Sequence, residues 1–163
     1  MSNFNSIYNP LFLKNEELKT ALELLFFLSK DFDNNIEPLL KKFGYNKTHC
    51  SVIFLSSNNY SLTIKEMLSI LKIKKQSLAK IVNKLKDDDI IFLKQSKKDK
   101  RKKTIFLTKK GIKIEKKMNK LFVSRIANAY KNSGTESING FKKILFNLIS
   151  DKSKKILKNN KRT

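Results

Sequence analysis

The sequence predicts a mainly α-helical fold of the α+β class, in which two short strands lie between helices. Over most of the 163 residues, apolar side chains recur every three or four positions, the spacing of one helix face. Two runs, residues 90–93 and 104–107, are instead rich in β-branched and aromatic residues and have strand length. The chain length predicts a single domain over residues 1–163.

A long first helix is predicted over residues 15–43, where the apolar residues fall on one face. Phe26 and Phe27 add apolar surface on a second side. This wide apolar surface indicates either an ordinary buried helix or a helix packed against a partner subunit. Pro38 removes a backbone donor, so we expect a kink or a break near residues 34–37.

The second helix is predicted to start at Asn46, a residue typical of a helix N-cap, and to end near Ser57. His49 stands three residues after the cap and is able to reach back toward it. We interpret the adjacent His49 and Cys50 as cap and core residues rather than as a metal or nucleophile site. A single histidine also argues against zinc sites that need two.

The next two helices form a predicted helix-turn-helix. Thr63 and Glu66 form a capping box at the start of the first, and residues 72–75 form a tight turn. The second helix has an apolar face of Leu78, Ile81, Val82 and Leu85 and a polar face of Gln76, Ala79, Lys80, Asn83 and Lys84. An apolar inner face and a basic outer face are typical of a DNA-reading helix, although any helical hairpin shares the pattern.

The two strands enclose a strongly basic loop. Residues 94–103 carry seven basic side chains and one acidic one. A hairpin directly after a helix-turn-helix is the wing of a winged helix, and this position favours a DNA contact over a merely solvated tip. We therefore predict a winged helix-turn-helix over residues 46–108 with a two-stranded wing.

Two helical segments flank the winged unit. Thr108 is predicted to cap a helix that runs to about Tyr130, and one last helix is predicted from Thr135 to beyond Ile156. The outer segments, residues 11–43 and 110–158, are more apolar than a winged core needs. We interpret them as N- and C-terminal dimerisation helices that bury the surplus in a two-fold dimer.

The net charge of +22 is unevenly placed along the chain. Residues 1–60 hold six basic and six acidic side chains, whereas residues 94–120 hold 13 and two, a net charge of +11. Lysine enrichment by itself also arises from A+T-rich coding, but such drift does not segregate the charge in this way. The placement predicts a polyanionic partner.

Other classes of protein find little support in the sequence. No apolar run approaches the length of a membrane helix, the N-terminus does not resemble a secretory signal, and one cysteine fits a reducing cytoplasm. With four glycines, there is no phosphate-binding loop and no nucleophile elbow. We therefore expect a cytoplasmic protein without membrane association, enzymatic activity, metal or cofactor.

The order of these elements resembles the MarR family of bacterial transcriptional regulators. The residues that carry the resemblance are Leu78, Val82 and Leu85, then Asp99-Lys100-Arg101 in the wing, and Leu107-Thr108-Lys109-Lys110-Gly111 after it. Asp89 departs from the pattern, because the family usually has Gly at that position. The site tends to need a positive φ, which Asp tolerates better than most residues.

The resemblance implies a homodimer that binds a pseudo-palindromic operator in double-stranded DNA, with recognition helices in successive major grooves and wings in the minor groove. The implied recognition-helix contacts are Lys74, Lys75, Gln76, Ser77 and Lys80, and the implied wing contacts are Lys97, Lys98, Lys100, Arg101, Lys102 and Lys103. Asp99 would orient Arg101 rather than touch DNA. The alternative function is that of a non-specific, nucleoid-associated or RNA-binding basic protein.

Relatives in this family often sense a small aromatic molecule in a cleft beside the dimer helices. The candidates to line such a cleft are Phe26, Phe27, Tyr45, His49 and Phe54, with core packing as the alternative role. A redox role for Cys50 finds little support, because no second cysteine can resolve an oxidised thiol within the chain.

Overall fold

Seven helices and one antiparallel pair of strands make up the part of the chain that the computed structural model describes, residues 13–57, 62–95 and 102–159. In chain order they are α1 (Asn15–Lys42), α2 (Lys47–Ser57), α3 (Ile64–Leu71), α4 (Lys75–Asp87), β1 (Ile91–Gln95), β2 (Lys103–Leu107), α5 (Lys109–Lys131), α6 (Gly134–Leu148) and α7 (Asp151–Asn159). The predicted fold, a winged helix-turn-helix flanked by long helices, is confirmed.

Side-chain caps fix the starts of three helices where the sequence predicts them. Asn46 Oδ1 accepts hydrogen bonds from the backbone N–H groups of Thr48 and His49 at the start of α2. Thr63 caps α3 through the complete capping box with Glu66. At the start of α5, the Thr108 hydroxyl accepts from the Gly111 N–H at 3.0 Å. Each cap satisfies a donor that the helix itself leaves unpaired.

The core lies between α2, the helix-turn-helix and the strands. Its most deeply buried side chains, each less than 2% exposed, are Val52, Ile53, Met67, Leu78, Leu85 and Ile90. They come from α2, α3, α4 and the segment just before β1. Full burial of one such side chain contributes about 1.5–3 kcal/mol, so this shared core fixes how the recognition helix sits on the rest of the unit.

The wing is a short antiparallel hairpin. β1 and β2 pair with Ile91 opposite Leu107 and Gln95 opposite Lys103, and the rings of Phe92 and Phe106 stack across the strands at 5.7 Å. An isolated bridge between Thr63 and Thr104 joins β2 to the start of α3. Thr104 pairs with Lys94, so the hairpin is tied to the helix-turn-helix near its loop end.

Three left-handed residues set the corners of the winged unit. Gly44 (φ 66°) ends α1, and Lys72 (φ 51°) forms the turn between α3 and α4. Asp89 (φ 57°) turns the chain from α4 into β1. The prediction of a positive φ at Asp89 is confirmed, and Asp is among the non-glycine residues that adopt this conformation most readily.

One of the two outcomes predicted for Pro38, a break in the first helix, does not occur. α1 does not break near residues 34–37 but continues through Pro38 to Lys42. Proline costs one backbone hydrogen bond, and Ile36 and Leu40, each 3% exposed, hold this end of the helix in the core.

The predicted single last helix is instead two helices, α6 and α7. Ile149 is extended, with ψ of 151°, and the Ser150 hydroxyl accepts from the Ser153 N–H at 3.3 Å. Ser150 therefore caps a new helix in the way that Ser and Thr caps do. Apolar residues recur with helical spacing throughout residues 138–156, so the sequence pattern did not indicate that the helix is interrupted at Ile149 and Ser150.

Candidate nucleic-acid interface

Helix α4 presents two chemically different faces. Leu78, Ile81, Val82 and Leu85 are buried in the core. The predicted contact residues on the outside, Lys74, Lys75, Gln76, Ser77 and Lys80, are all exposed. Within the part of the chain that the structure describes, none of these five side chains forms a hydrogen bond or an ion pair. They are therefore available to an external ligand.

The start of α4 favours an anionic ligand. Lys74, its N-cap residue, has an extended backbone and makes no side-chain cap bond, and the first turn contains no acidic residue. Unpaired N–H groups and the helix dipole make such a terminus attractive to phosphate. Lys74 and Lys75 add charge at the same end.

The other end of α4 is held by contacts that converge on Asp88. Its carboxylate accepts a hydrogen bond from the Tyr45 hydroxyl at 2.8 Å and pairs with Lys84 at 3.0 Å. Its carbonyl accepts from Lys110 at 2.6 Å. Partial burial acts to raise the pKa of Asp88, but the hydrogen bonds from Lys84 and Tyr45 outweigh it and hold this pKa below its usual value. The helix end is thus anchored by a carboxylate.

The structure describes the two strands of the wing and Lys102, but not residues 96–101 of the loop between them. Lys102 and Lys103 are exposed there, beside the start of α3, and the charge of Lys102 helps to lower the pKa of Glu66, after the larger effect of the Thr63 hydrogen bonds. The other predicted wing residues, Lys97, Lys98, Asp99, Lys100 and Arg101, lie outside the described residues.

The five candidate cleft residues are not brought together. Phe26 and Phe27 pack edge to face at 5.5 Å on the outside of α1 and are more than half exposed. Tyr45 and His49 are buried and stack on each other at 5.0 Å. Phe54 lies apart from both pairs, in a groove between α1, α2 and α5.

That groove is an apolar cavity of about 550 Å³, and the sequence did not predict which residues line it. Phe32, Ile36, Phe54, Phe122 and Ile126 form much of its wall, and the Asp33–Lys47 ion pair stands at its edge. Phe32 and Phe122 pack edge to face at 5.3 Å. The apolar periodicity of α1 and α5 indicates that these residues lie on apolar helix faces. A single sequence does not show that the two helices pack against each other.

Cys50 also lines this groove, and its thiol is in the unreactive form. Burial, with a smaller effect from the charge of Asp33, raises the pKa of Cys50 to about 11. A thiol reacts with oxidants as the thiolate, which is scarce at neutral pH under these conditions.

Neither a metal site nor a membrane segment is found in the three described ranges. They contain no group of three or more His, Cys, Asp and Glu side chains placed to hold a metal ion. None of their helices combines the length and the apolar character needed to span a bilayer.

The winged unit itself matches a known family. Residues 44–102, which run from the end of α1 through the helix-turn-helix and into the wing, fit the model of the MarR family. This similarity to the MarR family covers 59 of the 163 residues.

A transcriptional regulator from another organism is similar to the chain along most of its length. The HTH-type transcriptional regulator PetP from Rhodobacter capsulatus is 29% identical over 135 residues, which cover 83% of this chain and 81% of PetP.

Two solved structures share the fold. A MarR family transcriptional regulator from Listeria monocytogenes, complexed with 26mer DNA, has a TM-score of 0.67 and 21% identity, with 87% of this chain and 97% of that chain covered. A MepR mutant from a multidrug-resistant S. aureus clinical isolate has a TM-score of 0.68 and 17% identity, with 78% and 94% covered.

Proposed function

We propose that this protein is a sequence-specific transcriptional regulator that binds double-stranded DNA as a homodimer. The observation that carries the proposal is the division of α4, whose apolar face is buried in the winged core while its basic and amide face is exposed and unpaired. A helix held in this way fits the major groove of B-DNA. The relatives that are named as regulators, one of them complexed with DNA, support the same function.

The exposed side chains of α4 divide into base-reading and phosphate-binding groups. Gln76 suits the edge of an adenine, and Lys74, Lys75 and Lys80 suit phosphates or guanine. Arg101 is proposed to enter the minor groove, where an A+T-rich sequence narrows the groove and favours arginine. Asp99 is proposed to hold Arg101 in place.

The flanking helices support the homodimer. The first half of α1 and all of α6 contribute no buried residue, although they carry many large apolar side chains. Leu22, Leu24, Ile144 and Leu148 are each at least 60% exposed. Apolar surface of this extent marks a protein interface, and a two-fold dimer would place two recognition helices about 34–36 Å apart.

We propose that the protein regulates by binding rather than by catalysis. We propose that it acts in the bacterial cytoplasm, at the nucleoid. The chemistry on the exposed face of α4 is that of ligand recognition: ammonium, amide and hydroxyl groups without a neighbouring acid–base pair. No cofactor enters this proposal.

Electrophoretic mobility shift at physiological salt tests the function. The purified protein is mixed with its own promoter region or with DNA fragments that it selects from a random pool. We expect binding at least a hundredfold tighter than to a random duplex, and a footprint with defined edges. Equal affinity for both DNAs would instead support the non-specific, nucleoid-associated or RNA-binding alternative.

Two neighbouring wing variants separate specific from non-specific contacts. Arg101→Ala should weaken binding with a loss that depends on the base sequence. Lys102→Ala should weaken binding to all sequences alike and lower the salt slope by about one. If both variants bind like the parent protein, the proposed role of the wing is wrong.

We also propose a small aromatic molecule as the effector, bound in the groove that Phe54 lines. The groove is apolar, has a volume of about 550 Å³ and joins the flanking helices to the winged unit. Benzoate and phenol serve as probes, since binding to the folded protein raises its melting temperature. The rise should disappear in Phe54→Ala and persist in Phe27→Ala, which lies outside the groove.

A further inference from the structure

The helix α7 has a basic face. Four of its nine residues are lysines, and one is acidic. At about 100° per residue, Lys152, Lys155 and Lys158 fall within about 120° of its circumference, and all three are exposed. Asp151, the acidic residue, pairs with Lys154 at 3.6 Å. Among residues 13–57, 62–95 and 102–159, the three exposed lysines have no ion-pair partner.

Other contacts of α7 hold it against the rest of the chain. Lys154 and Ile156 are half-buried, and the Lys154 ammonium lies 5.8 Å from the centre of the Phe146 ring in α6. At the start of α7, Lys152 Nζ donates a hydrogen bond to Ser69 Oγ on the exposed side of α3. The basic face therefore begins at the helix-turn-helix, although α7 lies about 80 positions away in the sequence.

The same contact places α7 beside the wing. Glu66, at the start of α3, is close to both, because the charges of Lys102 and Lys152 help to lower its pKa after the larger effect of the hydrogen bonds with Thr63. The bridge between Thr63 and Thr104 joins this end of α3 to β2. The basic face of α7, the exposed side of α3 and the wing thus form one continuous surface.

The positive charge on this surface is not neutralised by the residues that the structure describes. The Glu66 carboxylate accepts hydrogen bonds from the Thr63 N–H at 2.8 Å and the Thr63 hydroxyl at 2.7 Å. It forms no ion pair with Lys102 or Lys152, so the capping box occupies the carboxylate that lies nearest to them. Like charges without a counter-charge repel each other, and an anionic partner would relieve that repulsion.

We propose that the basic face of α7 is an additional DNA-binding surface, which contacts backbone phosphates beside the part of the duplex that the wing reaches. The inference rests on the proposed function, because its partner is the DNA that α4 and the wing bind. Duplex DNA carries one negative charge per about 1.7 Å of axis, so a helix about 14 Å long can face several phosphates. Such contacts add affinity without reading bases.

The combined variant Lys155→Gln and Lys158→Gln tests this surface. Neither side chain forms a hydrogen bond or an ion pair within the described ranges, so the contact between α7 and α3 is kept. The affinity for the operator duplex is measured from about 50 to 200 mM salt. Loss of two phosphate contacts should make the plot of log affinity against log salt shallower by about 1.8, which narrows the fall in affinity over this range about twelvefold. Affinity for a random duplex should change by the same factor.

Lys131→Gln combined with Lys142→Gln is the matched control, because it removes the same charge at the far end of α5. Lys131 is the last residue of α5, and the Lys142 ammonium lies 5.9 Å from the centre of the ring of the neighbouring Tyr130. This variant should keep the salt dependence of the parent protein. An equal change in the control and the α7 variant would overturn the proposed surface, because the lysines would then act only through net charge.

A photo-cross-linking group gives a direct readout of contact. p-Benzoylphenylalanine in place of Lys155 should cross-link to a bound operator duplex, and the same group in place of Lys131 should not. A shallower salt dependence without a cross-link at position 155 would overturn direct contact between α7 and DNA.

The outcomes distinguish the α7 surface from the proposed function. If the operator is preferred over random DNA and the α7 variant has the salt dependence of the parent, the surface is wrong and the regulator stands. If the operator is not preferred, the regulator fails, and the salt dependence on a random duplex still decides whether α7 binds phosphates. Unchanged DNA binding with lost regulation in cells would overturn DNA as the partner of α7 and indicate an acidic protein.

Discussion

The Tyr45 hydroxyl donates a hydrogen bond of 2.8 Å to Asp88 Oδ2 and joins the loop before α2 to the end of the recognition helix. Tyr45 is buried, and the carboxylate that it reaches also pairs with Lys84. The contact spans 43 positions of the sequence. It therefore fixes the orientation of α4 against a part of the chain that no local signal connects to it.

Tyr45→Phe should destabilise the protein by about 1–2 kcal/mol, because it removes one charge-assisted hydrogen bond and keeps the ring packing. Urea denaturation measures the free energy of unfolding. Asp88→Asn retains an acceptor but loses the charge, so this variant should also have a lower free energy of unfolding. An additive loss in the double variant would show that the two groups do not interact in solution.

Gly111 is required by a close approach of two backbones. A Cβ atom at this position would lie 2.1 Å from the Ile90 carbonyl oxygen, which is a backbone atom and cannot swing away. Gly111→Ala should therefore cost about 3 kcal/mol or more, as a severe case of overpacking, and lower the melting temperature accordingly.

Gly140→Ala provides the matched control. Gly140 lies inside α6, and a Cβ there would meet nothing within 4 Å. The substitution should raise the free energy of unfolding by about 0.5–1 kcal/mol, since alanine favours the helix. If the two variants have equal stability, the contact between Gly111 and Ile90 does not exist.

The features that the sequence predicts well are those with local causes. The capping box of Thr63 and Glu66 and the cap at Thr108 each depend on residues within a few positions. The positive φ of Asp89 was expected from the family resemblance. The buried face of α4 follows from helical spacing alone. These signals suffice for the winged helix-turn-helix.

The features that could not be predicted depend on tertiary contacts. Two cavities form where helices distant in sequence meet, so Phe54 and His49, which we expected in one cleft, line different ones. Pro38 is tolerated because its neighbours are anchored in the core. Which helices pack together is decided by shape complementarity, and a single sequence does not show it.

The Thr63–Glu66 capping box should make stability depend on pH. Hydrogen bonds from the Thr63 side chain and backbone lower the pKa of Glu66 below its ordinary 4.5, against a small effect of burial. The unfolded chain therefore takes up the proton first as the pH falls. The stabilisation is complete above about pH 5.5 and is lost as the pH falls through the lowered pKa.

Glu66→Gln tests this dependence, because glutamine keeps the capping geometry and does not titrate. The difference in free energy of unfolding between parent and variant should be constant from about pH 7 to 5.5 and shrink toward about pH 3. A difference that stays constant to the lowest pH would show that the charge of Glu66 contributes nothing to the cap.

Leu22→Glu should weaken the proposed homodimer. Leu22 is 67% exposed in the single chain and lies on the apolar face of α1, so burying a carboxylate there opposes association. We expect at least about a tenfold rise in the dimer dissociation constant, or 1.4 kcal/mol, measured by analytical ultracentrifugation. Lys19→Gln is the matched control, because it lowers the charge by the same one unit on the strip of α1 that carries Glu16, Lys19, Glu23 and Lys30. Equal dissociation constants for the two variants would place the dimer interface elsewhere, and operator affinity should follow the dimer in either case.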